Sequence, residues 1–464
     1  MIKNINKLND PAIKSILSNL SGHIGEYKNS FCTSTSDSGR LPEFYIEGLI
    51  KTERGKRNME RLHEELDMDG DGYQQIQQFI TNSTWDASGL IRRVAQDTSK
   101  LYAEQDGYDV KDVGYMIDES AHLKKGNDSA GVARQYAGVI GKVDNCQVGV
   151  YSSLVWQSHT CLINCSLFVP ECWSADRLKC IKAGIPEDKR GHKTKPELAL
   201  EMIKADIEAG INFGWVGGDG LYGHGCELNY AIEDMGLLFL FDIHNAQAIY
   251  EQEPKIFLPK KKPGKGRTPT IPRTEGMSVT VKAYKRKLDE KQWETIEVRD
   301  TTKGRLKLSI HVMQVWVWDN KEEHARKRVL VISRNNESNQ IKYGLSNADI
   351  ITTPVKQFAF MQAQRYWIER SFQDCKSELG MSDYQVRKWN GWHHHMALII
   401  LALSFIVKER IKNKTDSPLL SCRDIRILII ALLTGDEELI QKRTIQMEFR
   451  HRQRDKDIKR YFKT

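Results

Sequence analysis

Between about residue 110 and residue 241 the sequence changes rhythm in a way that few folds accommodate. Tyr115-Met116-Ile117, Cys146 to Tyr151 and Leu162 to Val169 are short runs of strand type. Helical and strand-type segments then alternate. Lys195 to Ala209 places Leu198, Met202 and Ala205 at helical spacing, and Phe213 to Val216 is again strand-like. Leu228 to Met235 is a helix candidate and Leu237 to Phe241 another strand. Three strands followed by strand–helix alternation predict an α/β layer with a mixed sheet.

The flanks read differently. Residues 1–105 are polar and helical, with apolar positions Phe44, Ile46, Leu49, Ile50 and again Ile76, Phe79, Ile80. Past the sheet, Lys255 to Lys287 holds eleven Lys/Arg against one acid, Glu275, interrupted by prolines. Strand-like segments follow: Ser278–Lys282, Leu306–Ile310, Val312–Trp318 and Val329–Ser333. One long helix is expected over Pro354–Leu379 and a second from Trp392 through Glu409. The boundaries expected are 1–105, 106–253, 254–335, 336–410 and 411–464.

The chain has 464 residues, 40% hydrophobic and 28% charged, which excludes disordered, collagen-like and disulfide-scaffold classes. Its nine cysteines include no C-x-x-C pair and read as reduced thiols of a cytoplasmic protein. The longest apolar run, Met396–Val407, has twelve residues and is a buried helix, since a membrane span needs about twenty. No signal peptide precedes it, so no membrane partner is expected. The net charge of +8 is unevenly placed: Lys255–Lys287 carries +10 and Lys442–Lys463 +6, leaving −8 for the rest. Two basic segments on an otherwise acidic chain suit a polyanion.

Three carboxylates stand out. Asp118 ends Tyr115-Met116-Ile117, and Asp219 ends Trp215-Val216-Gly217-Gly218. Ligands of open α/β sheets gather at strand carboxyl ends, although acids there are also common turn formers. The third is Glu369. On one continuous helix Arg365, Glu369 and Lys376 would fall within about 40° of one stripe, beside an apolar stripe of Ile368, Phe372 and Leu379. A surface ion pair on an amphipathic helix is the plainer reading.

With these residues the chain resembles insertion-sequence DDE transposases, of the IS-seven-oh-one branch of the IS-four superfamily. Their last-helix signature runs Tyr, two residues, Arg, three residues, Glu, six residues, Lys. Arg365, Glu369 and Lys376 fit it, with Gln362 at the Tyr position. The likeness also covers Gly131–Tyr136, Gly141–Val150, Gly218–Gly223, Leu345–Ala348 and Tyr384–His393, and extends from about Phe44 to Ile406.

The resemblance implies an RNase H-like (retroviral-integrase-like) mixed-sheet core with a β-rich insertion, an N-terminal helical DNA-binding domain and a basic helical C-terminal tail. It implies an enzyme that binds the terminal inverted repeats of its element, cleaves DNA and transfers strands. Asp118, Asp219 and Glu369 would be both catalytic and metal-binding, holding two Mg²⁺ ions, with Mn²⁺ as substitute. Asp118 would bridge the ions, and Asp219 and Glu369 would each hold one. Paired ions about 3.5–4 Å apart clamp both oxygens of a phosphoryl transfer. Arg365, Lys376, Trp367 and the basic-loop residues Lys260, Lys261, Lys262, Lys265 and Arg267 would contact DNA. A dimer is expected in the DNA complex. The alternatives are a relative that only binds DNA as a regulator, and a nuclease without strand transfer.

Two signals are set aside. Asp67-Met-Asp69-Gly-Asp71-Gly72 opens like a calcium loop, but Gln78 stands where the twelfth position needs Glu. His393-His394-His395 cannot converge on one ion, because consecutive helical residues point about 100° apart.

Overall fold

The computed structural model describes residues 10–32, 38–66, 72–224, 226–261, 269–301 and 304–462. The calcium-loop-like stretch Asp67–Asp71 and the basic-loop residues Lys262, Lys265 and Arg267 lie outside them.

In chain order the first helices are α1 (Asp10–Glu26), α2 (Leu41–Lys51), α3 (Met59–Leu66), α4 (Gly72–Thr81) and α5 (Ala87–Ala103). Strands β1 (Val113–Leu123), β2 (Ala133–Ala137), β3 (Lys142–Trp156) and β4 (His159–Leu167) follow. Next come α6 (Glu171–Ser174), α7 (Arg177–Lys182), α8 (Lys195–Glu208), β5 (Trp215–Gly218), α9 (Gly220–His224), α10 (Cys226–Asp234) and β6 (Leu238–Asp242). The next stretch holds β7 (Ala248–Ile249), β8 (Lys255–Phe257), β9 (Arg273–Glu275), β10 (Val279–Thr280), α11 (Val281–Lys285), β11 (Glu294–Thr301), β12 (Gly304–Val317), β13 (Arg326–Asn335) and β14 (Ile341–Ser346). The chain closes with α12 (Val355–Gln364), α13 (Tyr366–Glu378), α14 (Trp389–Lys412), α15 (Cys422–Thr434) and α16 (Glu437–Phe462). The class is mixed α/β with a mixed sheet, as the strand–helix alternation implied.

Two compact units form. The first gathers the residues up to Val113, Ile117–Asn212 and those from Trp367 on; the second gathers Gly114–Met116 and Phe213–Tyr366.

The first unit is built around α14. Every residue from His394 to Val407 on it is buried, against α5 and β4 among others. A helix covered on all sides shows no polar stripe, which explains the unbroken apolar run. At about 1.5–3 kcal/mol per fully buried aliphatic side chain, this run contributes heavily to the unit's stability. Beside it β3 pairs antiparallel with β2 along its first residues and with β4 along its last, and β1 flanks its other edge. Among the described residues no helix is long and apolar enough to cross a membrane.

In the second unit the order is β11-β12-β13-β14-β6-β5, antiparallel except for β6 and β5, which run parallel. Gly114 and Gly217 leave room for bulky neighbours: a Cβ on either would meet the Trp215 ring at 2.7–2.8 Å, with Met116 close behind. The strands of the β-rich stretch do not close on themselves. They extend the sheet that carries β5 and β6, and α11 packs on it through Val281 and Tyr284 against Val315, Leu330 and Ile332.

Three expectations are corrected. Ser278–Lys282 is strand only at Val279–Thr280, because the Thr280 hydroxyl caps the Ala283 N–H and starts α11. Leu306–Ile310 and Val312–Trp318 merge into one strand, β12, which ends at Val317 and pairs with β13 from Leu308 to Val317. The helix expected over Pro354–Leu379 is two, broken at Arg365. Arg365 keeps helical dihedrals (φ −55°, ψ −28°), so apolar spacing carried no sign of the break. The common stripe therefore holds only for Glu369 and Lys376, two turns apart on α13. Arg365 caps α12 instead.

Candidate active site

In the first unit Asp118 does not end its strand as expected: β1 runs on to Leu123, because Ser120 and His122 keep its alternation, and presents Asp118, Ser120 and His122 on one face, with Lys124 just beyond. Asp118 is half-buried, and its Oδ1 accepts the Glu119 N–H at 2.8 Å. His122 is fully buried, with Nε2 3.0 Å from the Tyr151 hydroxyl and Nδ1 3.3 Å from Ser382 Oγ. Burial, then Lys376 and Lys124, keep its imidazole well below the usual range and neutral. Lys124 donates to the Tyr384 carbonyl at 2.8 Å and lies 3.3 Å from that ring's centroid. Burial pushes its ammonium down to about 7.

Helix α13 is anchored by buried Ile368, Phe372 and Cys375, with Phe372 5.3 Å from the Tyr151 ring. Ser371 and Thr160 of β4 share a hydrogen bond at 2.8 Å. Its far end is capped by Arg57, 2% exposed, which donates to the Ser377 and Glu378 carbonyls and to Asp383, each at 3.2 Å. These contacts satisfy carbonyls that a helix end leaves open. Lys376 is half-buried; burial lowers its pKa and the Asp118 charge opposes that fall. The structure thus brings Lys376 to the strand of Asp118. Glu369, two turns earlier on the same helix face, is exposed.

In the second unit Asp219 follows β5 and caps α9. Its Oδ1 accepts the Leu221 N–H at 2.9 Å, and its carbonyl accepts those of Tyr222 and Gly223. The turn-forming reading therefore holds, and the cap fixes the carboxylate's direction. The parallel register pairs Gly218 with Phe241, which sets Asp219 beside Asp242 at the end of β6. A Cβ at Gly223 would fall 2.0 Å from the Asp242 carbonyl oxygen, so only glycine allows this approach.

Asp242 escaped the sequence reading. Its side chain is 16% exposed and its Oδ2 lies 3.0 Å from Arg365 Nε. Gln362, 2% exposed at the signature's Tyr position, donates to Asp242 Oδ1 at 3.5 Å. Burial raises the Asp242 pKa, Lys342, Arg365 and Gln362 pull it down, and Asp219 pushes it further up. The signal for it was present: like Asp118 and Asp219, it ends a strand-type run.

Other acids near these positions in the sequence have partners of their own. Glu119 pairs with Lys195 at 2.9 Å, Asp374 with Arg370 at 2.9 Å, Glu378 with Arg426 at 3.6 Å and Asp234 with Arg326 at 3.9 Å. Asp206 accepts from Asn164 at 2.9 Å. Trp367 is half-buried, and Tyr366 lies beneath Arg299, 4.7 Å from guanidinium to ring centroid. Lys260 and Lys261 are exposed beyond β8. The three histidines point apart: His393 to the Trp389 carbonyl, His394 to the Ile80 and Trp85 carbonyls, His395 to the Tyr45 hydroxyl.

Among the described residues no group of three His, Cys, Asp or Glu side chains is set to hold a metal ion as a closed cage. Asp118 and Asp219 offer hard oxygens, each oriented by a backbone N–H. That donor chemistry fits Mg²⁺, which takes one or two carboxylates and keeps water for its other positions.

Residues 31–305 match the family described as DDE superfamily endonuclease, a span that includes Asp118 and Asp219 and stops short of Glu369. The chain is 24% identical over 317 residues to a probable transposase for insertion sequence element IS701 from Microchaete diplosiphon, covering 68% of this chain and 69% of that protein. Among solved structures, a piggyBac transposase synaptic complex with hairpin DNA aligns over 94% of this chain and 82% of its own, at TM-score 0.42 and 10% identity. With more than half of its length in the family match, this chain belongs to the DDE superfamily endonucleases.

Proposed function

We propose that this chain is an insertion-sequence transposase that binds the terminal inverted repeats of its element, cuts the DNA beside them and joins the freed 3′-OH ends to a target. The observation that carries the reading is that cations of the signature segment stand near acids borne by the sheet strands of the family-matched region. Lys376 reaches the strand of Asp118 in one unit, and Arg365 reaches the neighbour of Asp219 in the other.

In this reading Asp118, Asp219 and Glu369 hold two divalent ions, which supply charge neutralisation at the scissile phosphate and its attacking and leaving oxygens. Lys376, a point charge, and Arg365, a planar fork, hold the DNA phosphates. Water is the first nucleophile and the 3′-OH the second. The core would be RNase H-like, formed by 106–253 and 336–410, with residues 1–105 binding DNA and the insertion 254–335 and the tail 411–464 gripping it through Lys260, Lys261 and their basic neighbours. Synapsis of two ends calls for a dimer in the complex.

The test incubates the protein with Mg²⁺, DNA carrying the element's ends and a target plasmid. End-joined plasmid supports the proposal. Cut ends without joined product would reduce it to a nuclease, and specific binding without cutting would leave a DNA-binding regulator.

A further inference from the structure

The second unit holds an arrangement that the proposed chemistry does not itself require. Both residues at the start of the helix signature, Gln362 and Arg365, turn to one acid that the signature does not include. Gln362 donates to Asp242 Oδ1 and Arg365 Nε approaches Asp242 Oδ2. A carboxylate has an acceptor for each, whereas an amide in its place has one acceptor and an NH₂. Gln362 itself is kept close by a glycine: a Cβ at Gly344, which pairs with Asp242 across β14 and β6, would lie 3.3 Å from its amide nitrogen. So strand β6, strand β14 and the end of α12 converge on the Asp242 carboxylate.

What this does follows from geometry and charge. Arg365 lies where α12 gives way to α13, at a residue outside both helices. A long side chain there has considerable rotamer freedom to lose, up to about 2 kcal/mol. An arginine whose Nε is drawn to 3.0 Å from a carboxylate as an ion pair loses part of that freedom in advance. Asp242 also sits beside Asp219, so its charge keeps the arginine from pairing with that carboxylate instead.

We propose that Asp242 is a positioning residue for Arg365: it orients the guanidinium toward a DNA phosphate and holds it off Asp219, with Gln362 fixing the other carboxylate oxygen. This rests on the reading of Arg365 as a phosphate contact of a DNA-cutting site.

The test is a double-mutant cycle of Asp242→Asn, Arg365→Gln and both together, alongside Asp242→Glu. Single-turnover cleavage of end DNA in Mg²⁺ and affinity for the same DNA in EDTA are measured, with thermal melts to show that each variant is folded. Misorienting a positioning group typically costs on the order of 10–100-fold, so Asp242→Asn should slow cleavage by about that factor. The double variant should be no slower than Arg365→Gln alone, because residues acting through one another are not additive. Asp242→Glu, which keeps the charge and both oxygens, should recover part of the rate. Any change that Asp242→Asn makes in affinity should vanish in the Arg365→Gln background. Near-normal cleavage by Asp242→Asn, or losses that multiply in the double variant, would overturn the assignment. A wild-type protein that binds ends and never cuts them would defeat the proposed function alone. The affinity cycle still decides this inference in that case, with additive effects counting against it.

Discussion

The two family-matched carboxylates, Asp118 midway along β1 and Asp219 just past the end of β5, stand in opposite electrostatic surroundings. Around Asp118 the first unit gathers cations: Lys376 from α13 and, just past β1, the half-buried Lys124, with neutral His122 between. Around Asp219 the second unit gathers a second acid, Asp242, offset by Arg365. A carboxylate facing an ammonium is attracted to it directly. Two neighbouring carboxylates repel and need a counter-ion between or beside them. An acid is thus offset directly in one unit and through an intermediary in the other.

The sharpest way to break this contrast is to remove the cation on the first side. Lys376→Gln should slow end cleavage by about 100-fold, or ~2.7 kcal/mol, with end binding changed far less. A change under about threefold would make Lys376 a packing residue rather than a phosphate contact.

A smaller effect sharpens the contrast through stability. The folded-state pKa of Lys124 is depressed to about 7 from 10.5. Below pH 7 both the folded and unfolded chains carry this proton and the cost of burying the charge is felt in full. Between about 7 and 10.5 only the unfolded chain binds it, so stability rises with pH across that window. Urea melts at pH 6 and pH 8.5 should show a gain on the order of 1–2 kcal/mol from this group, and Lys124→Met should flatten it. An unchanged pH slope in that variant would mean that the ammonium is better solvated than its burial indicates.

Much of this was readable from the residues. The strand leading into Asp118, the buried run of α14 and the mixed sheet follow from periodicity, because burial on one or all sides imprints the sequence directly; that β1 runs on past Asp118 to Leu123 does not, since its second half is polar. The divergence of His393, His394 and His395 followed from helix geometry alone. What escaped was set by contacts that leave no local trace. The break at Arg365 involves no proline or glycine, since the residue keeps helical dihedrals. Arg57 looked like any polar residue of the N-terminal helices, yet it closes the end of α13 some 320 residues away. Asp242 shared the placement that singled out Asp118 and Asp219, and only the parallel pairing of β5 with β6 shows that it neighbours Asp219.

The central claim is that Asp118 and Asp219, not their neighbours, carry the chemistry. The most direct test compares Asp118→Asn, Asp219→Asn and Glu119→Gln in single-turnover cleavage of end DNA with Mg²⁺, with binding measured in EDTA. Both Asn variants should bind within about threefold of wild type and cut at least ~10³-fold more slowly, while Glu119→Gln, whose carboxylate pairs with Lys195, should cut within about tenfold. Near-normal cleavage by either Asn variant, or its loss in Glu119→Gln with the fold intact, would contradict the account.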